Sequence, residues 1–453
     1  MIEDNAEKLL ETNTNGNLKK QIYVVLLASS LQVVNGFNMS YTSAIVPQLI
    51  DEKNILTSKE ISWIVSANSL GTFLGGLFAG LVVDRFGRVK IMKLSAIPTV
   101  ISWFLIAVAP SVEMVTVGLF FSGLSLSFMM NSVYVYAVEV ARPNIRGMLQ
   151  SLSTLCISVG LLIMFVEGRF FHWRWIAWVT IAYTLTITIL LFFIPESPPW
   201  LFSKNRAKEA SYALNWFSVN ESPETSYLEE DASLKPQNIK WTTFTQPTVY
   251  KPFFTICGLF VFQQFSGVFA ILANCVMFFI KMDVMYDPYL ITILVGIVRL
   301  TSAVGYLWLS KTFNRRTLLF VSGFRMTIAM VFSSITTRFM DQNHSVKTWF
   351  QVVLIMLYFF CAGCGLCPAP FTLSAELFPL HVRGFMQSLS LSFCNLISFT
   401  SLYLYEDLFD FFGGIVNVLY FYALISLTFV VYVFVFVPET HNKTLKEIEK
   451  YFG

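Results

Sequence analysis

Residues 114–147 read MVTVGLFFSGLSLSFMMNSVYVYAVEVARPNIRG. No charged side chain occurs between Met114 and Val138; Glu139, Arg142 and Arg146-Gly147 then follow closely. About 20 consecutive apolar residues let a helix cross the hydrocarbon core of a bilayer, so the stretch reads as a membrane span ending on a charged connection. Similar runs lie on either side, at 22–50, 61–83, 91–110, 148–168 and 175–194. After a polar stretch at 195–251 they resume at 252–280, 288–310, 317–336, 349–373, 385–405 and 415–437. The expectation is an all-α membrane protein with twelve transmembrane helices. Six fall in 1–194 and six in 252–453, and 195–251 forms a linker of short amphipathic helices.

Composition agrees. Hydrophobic residues make up 55% and charged residues 13% of the chain, against about 25% charged in an average soluble domain. A net charge of +3 is too small a bias to imply a nucleic-acid partner. The first 21 residues are polar, with no apolar core ahead of a cleavage site, so the first span is expected to act as an uncleaved anchor. With the termini on one side, Lys and Arg of the connections favour that side roughly three to one, which places both termini in the cytoplasm.

The two halves repeat. Glu139 precedes Arg146-Gly147 by seven residues, and Glu376 precedes Arg383-Gly384 by the same seven. Pro195-Glu196-Ser197 closes the sixth run and Pro438-Glu439-Thr440 the twelfth; Arg88 follows the second and Arg315-Arg316 the eighth. All fall at helix ends on the cytoplasmic side. An inner gate is therefore expected from Asp84, Arg85, Arg88, Glu139, Arg146 and Glu196 in the first half, and from Arg315, Glu376, Arg383 and Glu439 in the second. The plainer reading is a set of interfacial charges that orient the chain; carboxylates at matched places in both halves argue against it.

Gly80-x-x-x-Asp84-Arg85-x-Gly87-Arg88 resembles the loop signature between spans two and three of the major facilitator superfamily. Tyr136-x-x-Glu139 with Arg146-Gly147, Pro195-Glu196-Ser197-Pro198-x-Trp200-Leu201, and Gln263-Gln264-x-Ser266-Gly267 resemble sugar porter motifs. So do Pro368-x-Pro370 with Glu376 and Arg383-Gly384, and Pro438-Glu439-Thr440 with Thr444-Leu445. Tyr41-Thr42-Ser43 is similar to the insect facilitated trehalose transporter-like branch. The resemblance implies a major facilitator fold and facilitated, uniport movement of a hexose or trehalose-like sugar by alternating access. It also implies a plasma-membrane carrier, active as a monomer, with no enzymatic activity, cofactor or metal. Sugar hydroxyls are expected to meet Gln263 and Gln264, since amides offer donors and an acceptor without net charge. The two are adjacent, about 100° apart on a helix, so one faces the cavity and the other its edge or a neighbouring helix. Asn38, Asn274, Phe371, Asn395 and Arg299 complete the expected substrate shell.

Departures from the family pattern bear on energetics and substrate. Asn38 stands where proton-coupled relatives carry an aspartate, and Leu119 replaces an arginine, which favours facilitated diffusion. Phe269 and Arg299 stand at sugar-binding asparagines, Phe371 at a tryptophan, Pro199 at an arginine, and Lys311 and Asn314 at an aspartate and a glycine. Arg299 is the sharpest anomaly, because a charge at membrane depth marks a functional site by default. Two competing readings follow: a degenerate paralogue acting as a sensor, which the short tail disfavours, or a carrier of another small polar solute such as a polyol or organic anion.

The remaining features read plainly. All seven cysteines fall in apolar segments, so no disulfide framework is expected. Cys361, Cys364 and Cys367 form a helical stripe suited to packing and offer no fourth metal ligand. The sequon at Asn343 lies in a loop too short for efficient glycosylation; Asn220 and Asn442 fall on the cytoplasmic side. His172, His344, His381 and His441 lack a nucleophile or metal partner.

Overall fold

The computed structural model describes residues 19–53, 56–141, 146–217, 245–339, 345–379, 382–440 and 451–452. Asn220, Asn343, Asn442, His344, His381 and His441 lie outside the described residues, as do the side chains of Arg146 and Arg383. All regular structure among the described residues is helical.

Six helices cover the first six runs: α1 (Lys19–Glu52), α2 (Ser58–Phe86), α3 (Arg88–Ala107), α4 (Val112–Val140), α5 (Arg146–Phe170) and α6 (Trp173–Leu190). Two short helices follow, α7 (Pro198–Ser203) and α8 (Ala207–Trp216). The seventh run breaks into α9 (Pro247–Phe265), α10 (Val268–Ala273) and α11 (Cys275–Lys281). Then come α12 (Pro288–Thr312), α13 (Arg315–Phe339), α14 (Ser345–Cys364), α15 (Ala369–Glu376), α16 (Arg383–Tyr403), α17 (Tyr405–Phe412) and α18 (Ile415–Phe436).

Ten helices among the described residues are long and apolar enough to cross a membrane. The two expected runs outside that set differ for physical reasons. At 252–280 the helix is interrupted at Gly267, whose φ of +93° suits only glycine and whose missing Cβ leaves room for the Tyr422 ring. The freed carbonyls are not abandoned in the apolar interior: Tyr358 Oη donates to Ser266 O at 2.7 Å and Ser401 Oγ to Gln264 O at 2.8 Å. Helix α16 is continuous but rich in serine, with Ser388, Ser390, Ser392, Ser398 and Ser401 beside Asn395. A second break, between α14 and α15, sits at Gly365–Pro368; there Ser322 Oγ accepts from Leu366 N at 3.2 Å and donates to Cys361 O at 2.7 Å.

Packing repeats as the sequence does. Helix α2 lies on α4, α3 on α4 and on α6, and α1 on α5; correspondingly α12 lies on α14, α13 on α14 and on α18, and α9 on α16. The two most extensive contacts between the halves, α2 with α16 and α5 with α12, exchange under the same correspondence; α1 with α10 and α11, and α2 with α17, add to them. Phe78, Leu81, Phe192, Phe193, Trp308, Phe411 and Phe434 are exposed on the outside. Water penalises such surface by about 25 cal/mol per Å², whereas lipid does not. Lys20 Nζ donates to Trp216 O and Lys251 Nζ to Phe452 O. That end of the bundle is called the terminal face here, and its opposite the far face.

Candidate functional site

On the terminal face, Gly87 turns the chain from α2 into α3 at a φ of +104°. Arg88 then starts α3 with its side chain buried. Its Nε donates to Glu139 Oε2 at 3.0 Å and its Nη2 to Glu139 Oε1 at 2.8 Å, and Asp84 Oδ1 lies 2.9 Å from Nη2. Glu139 also accepts from Ser197 Oγ at 2.5 Å. Glu196 caps α3: its carboxylate accepts from the backbone N–H groups of Arg88, Val89 and Lys90 at 2.9–3.2 Å. A carboxylate there satisfies donors the helix leaves orphaned and suits the positive end of its dipole. Trp200 Nε1 donates to Asp84 O, and Tyr136 Oη to Pro195 O.

The second half builds the same device. Glu439 accepts from Arg315 N at 3.1 Å and Arg316 N at 3.2 Å, Thr440 Oγ1 donates to Glu376 Oε2 at 2.6 Å, and Arg315 Nη2 reaches Glu376 Oε1 at 3.5 Å. Of the ten expected gate residues, eight have described side chains and the structure brings seven of these into the two clusters. Arg85 is exposed, with its guanidinium over the Phe86 ring, and joins neither cluster. Each cluster is confined to its own half.

At membrane depth the expected binding residues divide sharply. Asn38 is fully engaged: its Oδ1 accepts from Asn68 Nδ2 at 3.0 Å and Ser122 Oγ at 2.5 Å, and its Nδ2 donates to Val34 O at 2.9 Å. It knots α1, α2 and α4. Gln263 donates from Nε2 to Leu366 O at 2.9 Å and Cys367 O at 2.8 Å, across the break between α14 and α15. Gln264 reaches Cys394 Sγ at 3.3 Å, and its Oε1 is buried without a donor. Asn274 donates to Ala270 O, and its Oδ1 is likewise unpaired. Phe371 packs on Phe260 with ring centres 5.3 Å apart. Asn395 lines a cavity of about 30 Å³ with Thr72, Ser127, Asn131 and Ser392, room for little more than a water molecule.

Three polar residues escaped the sequence reading. Gln32 and Asn35 precede Asn38 at spacings of three on one face of α1; Asn35 Nδ2 donates to Gln32 Oε1 at 3.4 Å, and Gln32 Nε2 is buried and unpaired. The spacing was the signal. Glu167, on α5, carries a buried, unpaired Oε2.

The halves meet by polar contact inside the bundle, where the hydroxyls of Ser69 and Ser398 lie 3.3 Å apart, and at the far face. Arg169 Nε on α5 lies 2.8 Å from Asp287 Oδ2, and Asp287 Oδ1 caps α12 by accepting from Tyr289 N at 3.0 Å. Thr42 Oγ1 donates to Ala273 O at 2.8 Å, and Val276 N donates to Ser43 Oγ at 3.1 Å. Above them opens a vestibule of about 400 Å³ lined by Gln48, Asp51, Glu52, Arg169, His172 and Tyr289, where His172 pairs with Glu52.

The family profile described as "Sugar (and other) transporter" matches residues 21–452. The chain belongs to this sugar transporter family. The chain is 30% identical over 444 residues to the "Facilitated trehalose transporter Tret1" of Drosophila pseudoobscura pseudoobscura, covering 95% of this chain and 51% of that protein. To the protein of the same description from Apis mellifera ligustica it is 28% identical, covering 96% and 88%. The chain spans about half the length of the first of these relatives. Among solved structures, the inward-open xylose transporter XylE from E. coli superposes with a TM-score of 0.79 at 21% identity, covering 96% of this chain and 100% of that one. A partially occluded inward-open form of XylE gives 0.77 at 19% identity, covering 94% and 100%. The fold is therefore that of a multi-pass major facilitator carrier.

For this sugar transporter family member the paired glutamines have unequal tasks. Gln263→Ala removes the side-chain donor that serves two carbonyls at a helix break, and a buried polar group left unpaired costs about 1–3 kcal/mol. Gln264→Ala removes an amide that holds one thiol, and that loss is smaller. The melting midpoint of the purified protein in detergent is expected to fall distinctly more for Gln263→Ala than for Gln264→Ala. The reverse order would return Gln263 to a free, ligand-facing role.

Proposed function

We propose that the chain moves a sugar across the plasma membrane by facilitated diffusion, alternating between states open to either side. Twelve spans form two units, 1–194 and 252–453, joined by 195–251, with both termini in the cytoplasm and the monomer as the working unit. On this reading α9–α11 and α16 are the seventh and eleventh spans. Chemistry for a neutral polyol is present in the buried amides of Gln263, Gln264 and Asn274 and the half-buried amide of Asn395, which offer hydrogen bonds without charge. Trehalose, the sugar in the relatives' names, and hexoses are the candidates.

One observation carries the mechanism. The polar contacts between the halves lie at the far face, Arg169 with Asp287 and Thr42 and Ser43 with α10 and α11, and deeper in the bundle, Ser69 with Ser398, whereas the charged clusters of the terminal face each stay within one half. A carrier closed outside and loosened inside has this distribution. The terminal-face clusters keep each half's helix ends together as a unit that rocks, and serve the inner gate when the halves close on that side.

Energetics follow from Asn38 and Leu119. Asn38 is neutral and held by three hydrogen bonds, and Leu119 is fully buried, so neither position offers a group to carry a proton. Vesicles containing the purified protein are expected to equilibrate labelled trehalose or glucose without accumulating it, and collapse of an imposed proton gradient should leave the initial rate unchanged. Accumulation driven by the gradient would overturn uniport and point to Glu167 as the coupling group. Absence of saturable uptake for every sugar tested would overturn the carrier reading itself.

A further inference from the structure

Arg299 lies near the middle of α12, a span of mean hydropathy 1.9. It faces α14 rather than lipid: a Cβ on Gly363 would come within 3.2 Å of its Nη1. Gln263 holds the carbonyls of Leu366 and Cys367 from the other side. A guanidinium and the candidate sugar amide therefore both lie against the end of α14 and the break that follows it, and a Cβ at 363 would strike Ser302 Oγ at 2.0 Å before it reached the guanidinium.

The charge is poorly compensated. Among the described residues no carboxylate comes within ion-pair distance of Arg299. The last turn of α14 presents the negative end of a helix dipole, equivalent to about half an elementary charge. A fixed cation at this depth is costly unless a partner or a ligand meets it. The other arginine within the apolar spans, Arg325, sits on the exposed face of α13 and adds positive field instead of relieving it. Beside Gln263, Gln264 Oε1 is buried without a donor, and so is Asn274 Oδ1. The second half thus holds unpaired acceptors suited to hydroxyl groups, on α9 and between α10 and α11, and one guanidinium suited to an anion, on α12.

We propose that Arg299 selects sugars bearing a single carboxylate, so that the substrate class of this site includes hexuronates. The proposal rests on the sugar-carrier reading and names the substrate for it. One guanidinium matches one carboxylate in two parallel hydrogen bonds; a phosphate dianion would leave a charge unmatched at membrane depth. The hydroxyls of the ring then satisfy the amide oxygens of Gln264 and Asn274.

Initial uptake of labelled D-glucuronate and D-glucose into vesicles containing the full-length protein tests this. Wild type is expected to take up glucuronate saturably, more slowly when the interior is made negative, because each cycle carries one negative charge inward. In Arg299→Gln the ratio of glucuronate to glucose uptake should fall about tenfold or more, as befits loss of a desolvated charge partner, whichever way the glucose rate moves. Arg299→Lys, which keeps the charge, should hold the ratio within about threefold of wild type. If Arg299→Gln fails to fold, competition in the wild type decides: glucuronate must inhibit glucose entry. Entry of glucose with exclusion of glucuronate, or an unchanged ratio in a folded Arg299→Gln, overturns the proposal and leaves the sugar carrier standing. Entry of neither sugar overturns this proposal, and if trehalose is excluded as well the carrier reading falls with it.

Discussion

Arg88→Ala is expected to cost about 3–5 kcal/mol of stability, the range for breaking a buried ion pair by deleting one partner. The guanidinium is 8% exposed and grips both oxygens of Glu139, whose side chain is 20% exposed. Without it, Glu139 keeps the Ser197 hydroxyl as its remaining hydrogen bond, and a carboxylate is stranded among the ends of α3, α4 and α7. Asp84 contributes little to the figure, because its side chain is 71% exposed and solvent screens it. The melting midpoint and folded yield in detergent report the loss. Arg88→Met combined with Glu139→Gln should recover much of it, since removing both charges leaves neither unpaired. Arg315→Ala in the second half should cost less. Its contact with Glu376 is 3.5 Å, Glu376 is 31% exposed, and Thr440 continues to serve that carboxylate. A stable Arg88→Ala, or a more damaging Arg315→Ala, would show that the first cluster is not a structural clasp.

That asymmetry between matched clusters was partly written in the chain. The repeat of Glu139 with Arg146-Gly147 in Glu376 with Arg383-Gly384 placed corresponding carboxylates at corresponding helix ends, because a motif repeated at helix termini keeps its geometry. The weaker second cluster also had a signal, Lys311 where the first half has Asp84. Ten of the twelve expected spans followed from apolar length, since a helix must be long and apolar to cross a bilayer. The breaks at Gly267 and Gly365–Pro368 did not, because apolar length is indifferent to where a helix is interrupted. They became visible only with the side chains that satisfy the freed carbonyls, namely Tyr358, Ser401, Ser322 and Gln263. Polar residues at membrane depth were easy to find and hard to assign. Asn38 and Gln263 carry the same kind of group as Gln264, yet they spend it on neighbouring helices. Adjacent residues point about 100° apart, and only packing says which direction holds a partner. Arg85 illustrates the same limit: one position from Asp84, it points to the surroundings.

Gly123→Ala is expected to be the most damaging single methyl that can be added to this bundle. A Cβ there would lie 1.9 Å from Asn68 O and 3.0 Å from Thr72 N. From the other side of the same crossing, a Cβ on Gly71 would lie 2.0 Å from Phe120 O. These obstacles are backbone atoms, so no rotamer change relieves them, and α2 must move off α4. Small residues at such crossings let helices approach closely, which supplies much of the packing energy available in a membrane. Overpacking a core typically costs about 1–3 kcal/mol, and here the displacement spreads. Asn68 donates to Asn38 Oδ1 at 3.0 Å and to Leu119 O at 3.4 Å, so moving α2 opens the polar knot of α1, α2 and α4. Each buried group left unpaired adds about 1–3 kcal/mol. Folded, monodisperse protein should fall to a small fraction of wild type, with transport lost in proportion. Gly384→Ala is the matching control, since nothing lies within 4 Å of its added methyl and alanine in a helix gains about 0.5–1 kcal/mol over glycine. Full recovery of folded Gly123→Ala would mean that the α2–α4 crossing gives way without loss, and that the knot at Asn38 does not depend on it.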